Sequence, residues 1–270
     1  MLRCITYYFN PNNSDKIKQD FLEFKSNFNA PLSVVEVAFE DQSFWIDDSI
    51  RIEANHSHRM WQGHRLINIA LQLLPDNIDK VAWVPPNIVF NNLKWLRDAA
   101  ETLDFFPVTQ LYSTCDVHNY GYVQKAKNNS DYDLSVNNKA IRIGRCDLGW
   151  AAKREKLPNG IFDCAIEGSC DIYQVLGWQG AWDNDYFDRI SADVRLEILK
   201  MTASDFLEIK NNLSRIDGDV TTLSEQRENH YKILNQHHFD VTKDIHLDAN
   251  SLWQWASDKP ELHKDISDVL

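Results

Sequence analysis

The sequence predicts an α/β domain built on a mainly parallel sheet flanked by helices, with a helical appendage at its C-terminal end. Two observations carry that expectation. Up to Tyr112, short β-branched and aromatic runs alternate with segments whose apolar residues recur every three or four positions, the pattern of parallel strands joined by crossover helices. A chain of 270 residues, 43% hydrophobic with 9 Trp, 9 Tyr and 13 Phe, can also bury a sizeable core in one domain without covalent staples.

The elements follow in order. Cys4 to Phe9 is a strand that closes on the turn Asn10-Pro11-Asn12-Asn13. Ser14 or Asp15 can cap the next helix, whose buried face is Ile17, Phe21, Phe24 and Phe28. Leu32 to Phe39 is a second strand, and Glu36 inside it is a buried carboxylate that needs a partner or a ligand. Met60, Ile67, Leu71 and Leu74 mark a helix over 60–74, and Lys80 to Val84 a further strand. A third helix carries Leu93, Leu96, Ala100 and Leu103 and leads to a strand at Val108 to Tyr112. Sheets of this kind bind ligands outside the carboxyl ends of their strands, which nominates the loops after Phe9, Phe39, Val84 and Tyr112.

The middle, Asp116 to Lys139, is rich in Asn, Asp and Ser and reads as a loop or hairpin region rather than an interdomain linker. An apolar, glycine-containing centre from Gly144 to Trp182 follows, then helices near 192–201, 204–213 and 223–234. The tail from Asn250 carries Trp253 and Trp255, which read as core.

Bulk chemistry excludes several classes. The 28 Lys and Arg stand against 40 Asp and Glu, and a net charge of −12 repels phosphate backbones and disfavours a nucleic-acid partner. No apolar run is long enough for a bilayer, and the start, MLRCITYYFNP, has no signal-peptide pattern, so a cytoplasmic protein is expected. Cys4, Cys115, Cys146, Cys164 and Cys170 form no C-x-x-C pair and read as reduced thiols. Neither a G-x-S-x-G elbow nor a G-x-G-x-x-G turn is present to support a hydrolase or an oxidoreductase.

Four stretches carry a resemblance. Met60-Trp61-Gln62-Gly63-His64-Arg65-Leu66-Ile67-Asn68 is close to a W-Q-K-E-R-L-L-N segment, and Lys80-Val81-Ala82-Trp83-Val84-Pro85-Pro86-Asn87-Ile88-Val89-Phe90 stands where A-W-I-D-x-D-I-x-F would. Asp147-Leu148-Gly149-Trp150-Ala151-Ala152-Lys153-Arg154-Glu155, then Phe162-Asp163-Cys164-Ala165-Ile166-Glu167-Gly168-Ser169-Cys170-Asp171, is similar to G-x-A-W-A-A-x-R-E and L-Y-D-x-A-I-x-G-G-G-D. The stretch from Asn229 to Leu234 and on to Trp253-Gln254-Trp255 is similar to a closing segment. In this order they resemble a bacterial and viral family of GT-A glycosyltransferase-like proteins, related to the large inverting family that includes the cellulose and chitin synthases.

The resemblance implies a GT-A-like nucleotide-sugar-binding domain over residues 1–215 and a helical extension over 216–270 packed on it. It implies transfer from a nucleotide-diphosphate sugar, such as a UDP-sugar, to a glycan or small-molecule acceptor, which requires a base for the acceptor hydroxyl and stabilisation of the leaving diphosphate. In the family, D-x-D carboxylates hold a divalent cation on that diphosphate. Here Pro85 and Asn87 stand in those places and cannot carry negative charge, so no metal ligand is assigned, while Mn2+ or Mg2+ stays open as a cofactor. Asp217-Gly218-Asp219 and Asp183-Asn184-Asp185 have D-x-D spacing but also suit solvated turns.

The G-G-G-D aspartate corresponds to Asp171, which becomes the candidate base or else a helix cap, with Glu167 and Asp147 behind it. Thr6, Tyr7, Asn10 and Glu36 are implicated in holding the nucleoside, and each could equally be a satisfied polar group in the core. Asn87 and Trp150 lie in matched segments beside the expected donor site. Without a metal, cations must take over the diphosphate, and Arg65, Arg142, Arg145, Lys153 and Arg154 lie in or near matched segments. Two other readings remain: a binding or scaffolding module that has lost catalysis, and a viral transferase acting on modified DNA bases, against which the net charge argues.

Overall fold

The computed structural model describes residues 1–119, 122–129, 148–163, 170–179, 212–223 and 266–269, together with Leu196 and Ile209. The chain runs through β1 (Leu2–Phe9), α1 (Asp15–Asn27), β2 (Leu32–Phe39), β3 (Ile50–Ala54), α2 (Gly63–Leu73), β4 (Lys80–Trp83), β5 (Ile88–Phe90) and α3 (Trp95–Phe105). It continues through β6 (Val108–Gln110), β7 (Thr114–Asn119), β8 (Tyr122–Asn129), β9 (Trp150–Lys153), α4 (Cys170–Gln179), β10 (Leu213–Arg215) and β11 (Asp219–Thr222).

Seven strands form one sheet in the order β10-β6-β9-β4-β1-β2-β3, with β9 antiparallel to both of its neighbours and every other pair parallel. A smaller sheet has the order β5-β11-β7-β8. The expected class, a mainly parallel sheet flanked by helices, is the one found.

Both faces of the large sheet are covered, which is why β1 and β2 read as near-continuous apolar runs rather than as clean alternations. From β1, Ile5, Tyr7 and Phe9 enter one core with Leu66, Ile67 and Ala70 of α2 and with Val175 and Trp178 of α4. Cys4 and Tyr8 enter the opposite core with Phe21 and Phe24 of α1 and with Trp95, Ala99 and Leu103 of α3. Burial of this kind contributes about 1.5–3 kcal/mol per large apolar side chain.

Element boundaries differ from the sequence reading for local reasons. The second helix starts at Gly63, not Met60: Gln62 is held at φ −136°, ψ 27°, outside the helical region, and residues 56–58 form a separate 3-10 turn. Asn55 caps that turn, its side chain accepting from Ser57 N (3.0 Å) while its own N–H donates to His58 Nδ1 (3.2 Å). The third helix starts at Trp95, and Leu93 lies outside it, 76% exposed. There the Asn92 side chain accepts from Lys94 N (2.9 Å), fixing a turn ahead of the helix. Ser14 occupies the cap position of α1 but makes no capping bond; the Asn10 side chain holds the Ser14 N–H instead (2.8 Å).

Residues 114–119 and 122–129, which overlap the polar middle, pair as an antiparallel hairpin. Residues 219–222, in the stretch expected to be a helical extension, form a strand of the small sheet between β5 and β7. Val220 is driven into the core there, and the turn 216–218 joins this strand to β10 of the large sheet. The helices expected near 192–201, 204–213 and 223–234, like Trp253 and Trp255, fall almost wholly outside the described residues.

Candidate functional site

The parallel strands β1, β2, β3, β4, β6 and β10 present their carboxyl ends along one edge, where the loops 10–14, 40–49, 55–62, 84–87, 111–113 and 216–218 gather. Two helices begin near one another on the face of the sheet that carries Tyr7, Trp83 and Trp150. The first is α2. Its opening residue is fixed by close approach: a Cβ on Gly63 would stand 2.8 Å from both the Trp61 and Tyr7 rings, which meet edge to face at 5.5 Å. Glycine is the residue that fits, and it sets His64 and Arg65 in the first turn.

The second is α4. Trp178 packs edge to face on Trp150 (5.4 Å between ring centroids) and tilted on Trp83 (6.3 Å), which seats the helix across β4 and β9. Asp171 then falls in the first turn of α4, where the helix dipole favours a carboxylate. Its Oδ1 lies 3.0 Å from His64 Nε2, and the two side chains are 10% and 11% exposed. An ionised carboxylate offers only lone pairs, so against it the bond takes a hydrogen on His64 Nε2. In a site this dry the bond is stronger than it would be in water.

A second charged pair stands beside the first. Arg65 Nη1 is 3.0 Å from Asp163 Oδ2, which also accepts from Asn68 Nδ2 (2.6 Å). Asn68 clamps the intervening loop through Ile161, donating to its carbonyl and accepting from its N–H, both at 2.8 Å. The N-terminal half of α2 thus faces two carboxylates, one held by an imidazole and one by a guanidinium. Such an arrangement can accept a proton at Asp171 while its neighbours balance the charge.

The remaining candidates divide by surroundings. Thr6 is buried and donates to Val84 O (2.8 Å), tying β1 to the start of the 84–87 loop. Tyr7 lies under Gly63, and Trp150 under Trp178. The buried Asn10 side chain bonds to Tyr8 Oη (2.9 Å), Ser14 O (3.0 Å) and Ser14 N. Glu36 finds its partner inside the protein: it accepts from Trp45 N (2.7 Å), Ile46 N (3.2 Å) and Ser49 Oγ (2.6 Å), and so pins the 45–49 loop. Asn87 is buried, its carbonyl accepting from Leu223 N (2.7 Å). Arg142, Arg145, Asp147, Glu167 and the 183–185 stretch lie outside the described residues.

Two nominated cations stand elsewhere. Lys153 pairs in register with Lys80, the first residue of β4, at the amino edge of the parallel strands, and Arg154 follows it. The Arg154 guanidinium closes the end of α2, donating to Pro75 O (2.7 Å), Leu74 O (3.0 Å) and Leu71 O (3.1 Å). These carbonyls lack helical partners, and a cation answers both their lone pairs and the negative end of the dipole. An open cavity of about 640 Å3 lies at this edge, lined by charges of both signs including Asp79, Lys80 and Lys153, far from the carboxyl-edge loops.

Pro85 and Asn87, where the sequence resemblance would put D-x-D carboxylates, do not fit a divalent ion. The Pro85 side chain has no donor atom and Asn87 only a neutral amide. Gly218 adopts φ +152°, and Asp217 Oδ1 accepts from Ser113 Oγ (2.8 Å), so Asp217 and Gly218 are locked to the loop after β6 while Asp219 opens β11. Among the described residues no three His, Cys, Asp or Glu side chains are grouped to hold a metal.

His64 is the residue that sequence reasoning passed over. It was visible inside the first matched segment, but its partner lies 107 positions away.

No family model matches the chain, and no curated protein does. Among solved structures the chain is similar to glucosyl-3-phosphoglycerate synthase from Mycobacterium tuberculosis in complex with Mn2+, UDP and glucosyl-3-phosphoglycerate, at 9% identity and a TM-score of 0.44, over 84% of this chain and 74% of that one. It is also similar to 4-diphosphocytidyl-2C-methyl-D-erythritol synthase from Anaerococcus prevotii, at 9% identity and a TM-score of 0.37, over 86% of this chain and 95% of that one. A mutant Drosophila β-1,4-galactosyltransferase 7 bound to manganese, UDP-Gal and xylobiose is similar at 13% identity and a TM-score of 0.28, over 60% and 53% of the two chains. These are loose likenesses of chain path.

Proposed function

We propose that the protein is a glycosyltransferase that moves a sugar from a nucleotide-diphosphate donor, a UDP-sugar in the first instance, to a glycan or small-molecule acceptor, with altered or absent metal dependence. The observation that carries this reading is Asp171: a buried carboxylate in the first turn of α4, bonded to His64 on the face next to the strand ends, at the position the motif resemblance gives to the base.

In that role Asp171 takes the proton of the acceptor hydroxyl as its oxygen bonds to the anomeric carbon. The bond from that carbon to the diphosphate breaks, and the electron pair leaves with the phosphate oxygen. Charge on the leaving group is balanced by arginines in this reading, Arg145 and Arg65, the latter shared with Asp163, rather than by an ion at Pro85 and Asn87. Glu167 and Asp147 are second-rank candidates for the base, and the ends of β1 and β2, with Thr6, Tyr7 and Asn10, flank the nucleoside.

A thermal-shift screen against nucleoside diphosphates and their sugars, with manganese and with a chelator, tests the donor site. Ligand at a hundred times its dissociation constant adds about 2.7 kcal/mol to stability. The expected outcome is a shift that survives the chelator, followed by turnover that Asp171→Asn abolishes. A shift that requires manganese would reject the metal-independent reading.

A second reading, a donor-binding module without catalysis, draws on the uncharged Pro85 and Asn87 in place of the metal carboxylates. It predicts a donor-induced shift with neither transfer nor hydrolysis.

A further inference from the structure

Asp171 is held at one oxygen by a side chain from another helix. We infer that His64 is the positioning residue for Asp171, its Nε2–H fixing Oδ1 so that the second carboxylate oxygen is the one presented to an acceptor hydroxyl. The inference rests on the reading of Asp171 as the base.

Three features of the geometry support it. The His64–Asp171 bond is 3.0 Å long between side chains about nine-tenths buried, so water competes little for either group. Both residues sit in first turns whose placement is over-determined: α2 by Gly63 pressed against Tyr7 and Trp61, and α4 by Trp178 on Trp83 and Trp150. The other cation of that turn, Arg65, is engaged by Asp163, itself tied to Asn68. The guanidinium thus meets Asp163 and the imidazole meets Asp171.

A carboxylate on a short side chain rotates about two bonds. Fixing one oxygen removes that freedom before substrate arrives, and a misplacement of about 1 Å at a reacting group costs about 100-fold in rate. The role predicts an effect on kcat rather than on donor affinity, because His64 reaches the reacting atoms only through Asp171.

The test uses the full chain and three variants. His64→Gln keeps an N–H at similar reach, His64→Phe keeps a ring of similar size without a donor, and Asp171→Asn removes the base. Thermal unfolding and calorimetric binding of UDP identify folded, donor-competent protein. The wild type and each variant are then assayed for UDP release from UDP-sugars with an acceptor mixture.

The expected result is a fall in kcat of about 100-fold for His64→Phe, with UDP affinity within about twofold of wild type, and recovery of most of that loss in His64→Gln. Wild-type kcat in His64→Phe would overturn the role. So would a His64→Gln as slow as His64→Phe, or a loss confined to KM and UDP affinity. Turnover that survives in Asp171→Asn, or a wild type that binds UDP and releases none from any donor, overturns the base reading itself and this role with it. That pattern is distinct from a wild type whose turnover needs Asp171 but not His64.

Discussion

A Cβ at position 160 would stand 2.8 Å from Asn68 Cγ, with the Asn68 amide oxygen nearer still, and residue 160 has a φ of +76°. The glycine lets the loop after β9 close onto α2, where Asn68 bonds both backbone groups of Ile161. Gly160→Ala would strain the backbone and push Asn68 off that loop. A loss of about 1–3 kcal/mol is expected in urea unfolding, with a weakened Arg65–Asp163 pair. Wild-type stability would show that the loop closes by another route.

Arg154 stabilises α2 from the amino edge, away from the loops that gather at the strand ends. Arg154→Ala leaves the carbonyls of Leu71, Leu74 and Pro75 without their charged donor, at a cost of about 1–3 kcal/mol in stability. Donor affinity, measured by calorimetry below the unfolding temperature, should stay unchanged. A selective loss of donor affinity would return Arg154 to the binding site.

Glu36 separates a loop clamp from a nucleotide ligand in the same way. Glu36→Gln turns an acceptor-only group into one that presents an NH2 toward the N–H groups of Trp45 and Ile46. The expected outcome is faster hydrogen exchange at those two amides and a stability loss of about 1–3 kcal/mol. Unchanged exchange with weakened nucleotide binding would favour the ligand role.

Burial pushes the Cys4 thiol up to about 12 from its ordinary value of 9.0. Because the folded state favours the neutral thiol, its contribution to stability is complete below pH 9 and is lost as pH rises from there toward 12. Unfolding midpoints should therefore fall across that alkaline window, less steeply in Cys4→Ala. At pH 8 the native protein should leave Cys4 unlabelled by iodoacetamide, and rapid labelling would contradict its burial.

Trp178 connects the core to the candidate base. Trp178→Ala removes its packing on Trp83 and Trp150 at a cost of about 3–5 kcal/mol, while Trp178→Phe should cost less. If α4 is seated by this side chain, turnover should fall in the Ala variant at temperatures where it remains folded, in step with loss of the His64–Asp171 coupling.

Local chemistry made much of the fold legible. β-branched and aromatic runs gave β2 in full and β1 and β4 to within two residues, because a strand buried on both faces must be apolar throughout. Helical spacing located α1, α2 and α3, although the starts of α2 and α3 depended on local backbone: Gln62 leaves the helical region ahead of α2, and Asn92 fixes a turn ahead of α3. The short strands β3, β5, β9, β10 and β11 went unrecognised. Three to five residues carry too little pattern, and each is a strand only because a neighbour supplies its hydrogen bonds.

For the candidate site, the sequence by itself nominated Asp171, through a motif resemblance and an expected helix start, and showed that Pro85 and Asn87 carry no charge. Tertiary structure alone decided that His64 holds Asp171, that Glu36 is answered by the 45–49 loop, and that Arg154 closes the end of α2. Helical and strand periods report which side of an element is buried. Which distant group meets a polar atom there is set by the packing of whole elements, and a buried charge takes the partner that this packing delivers.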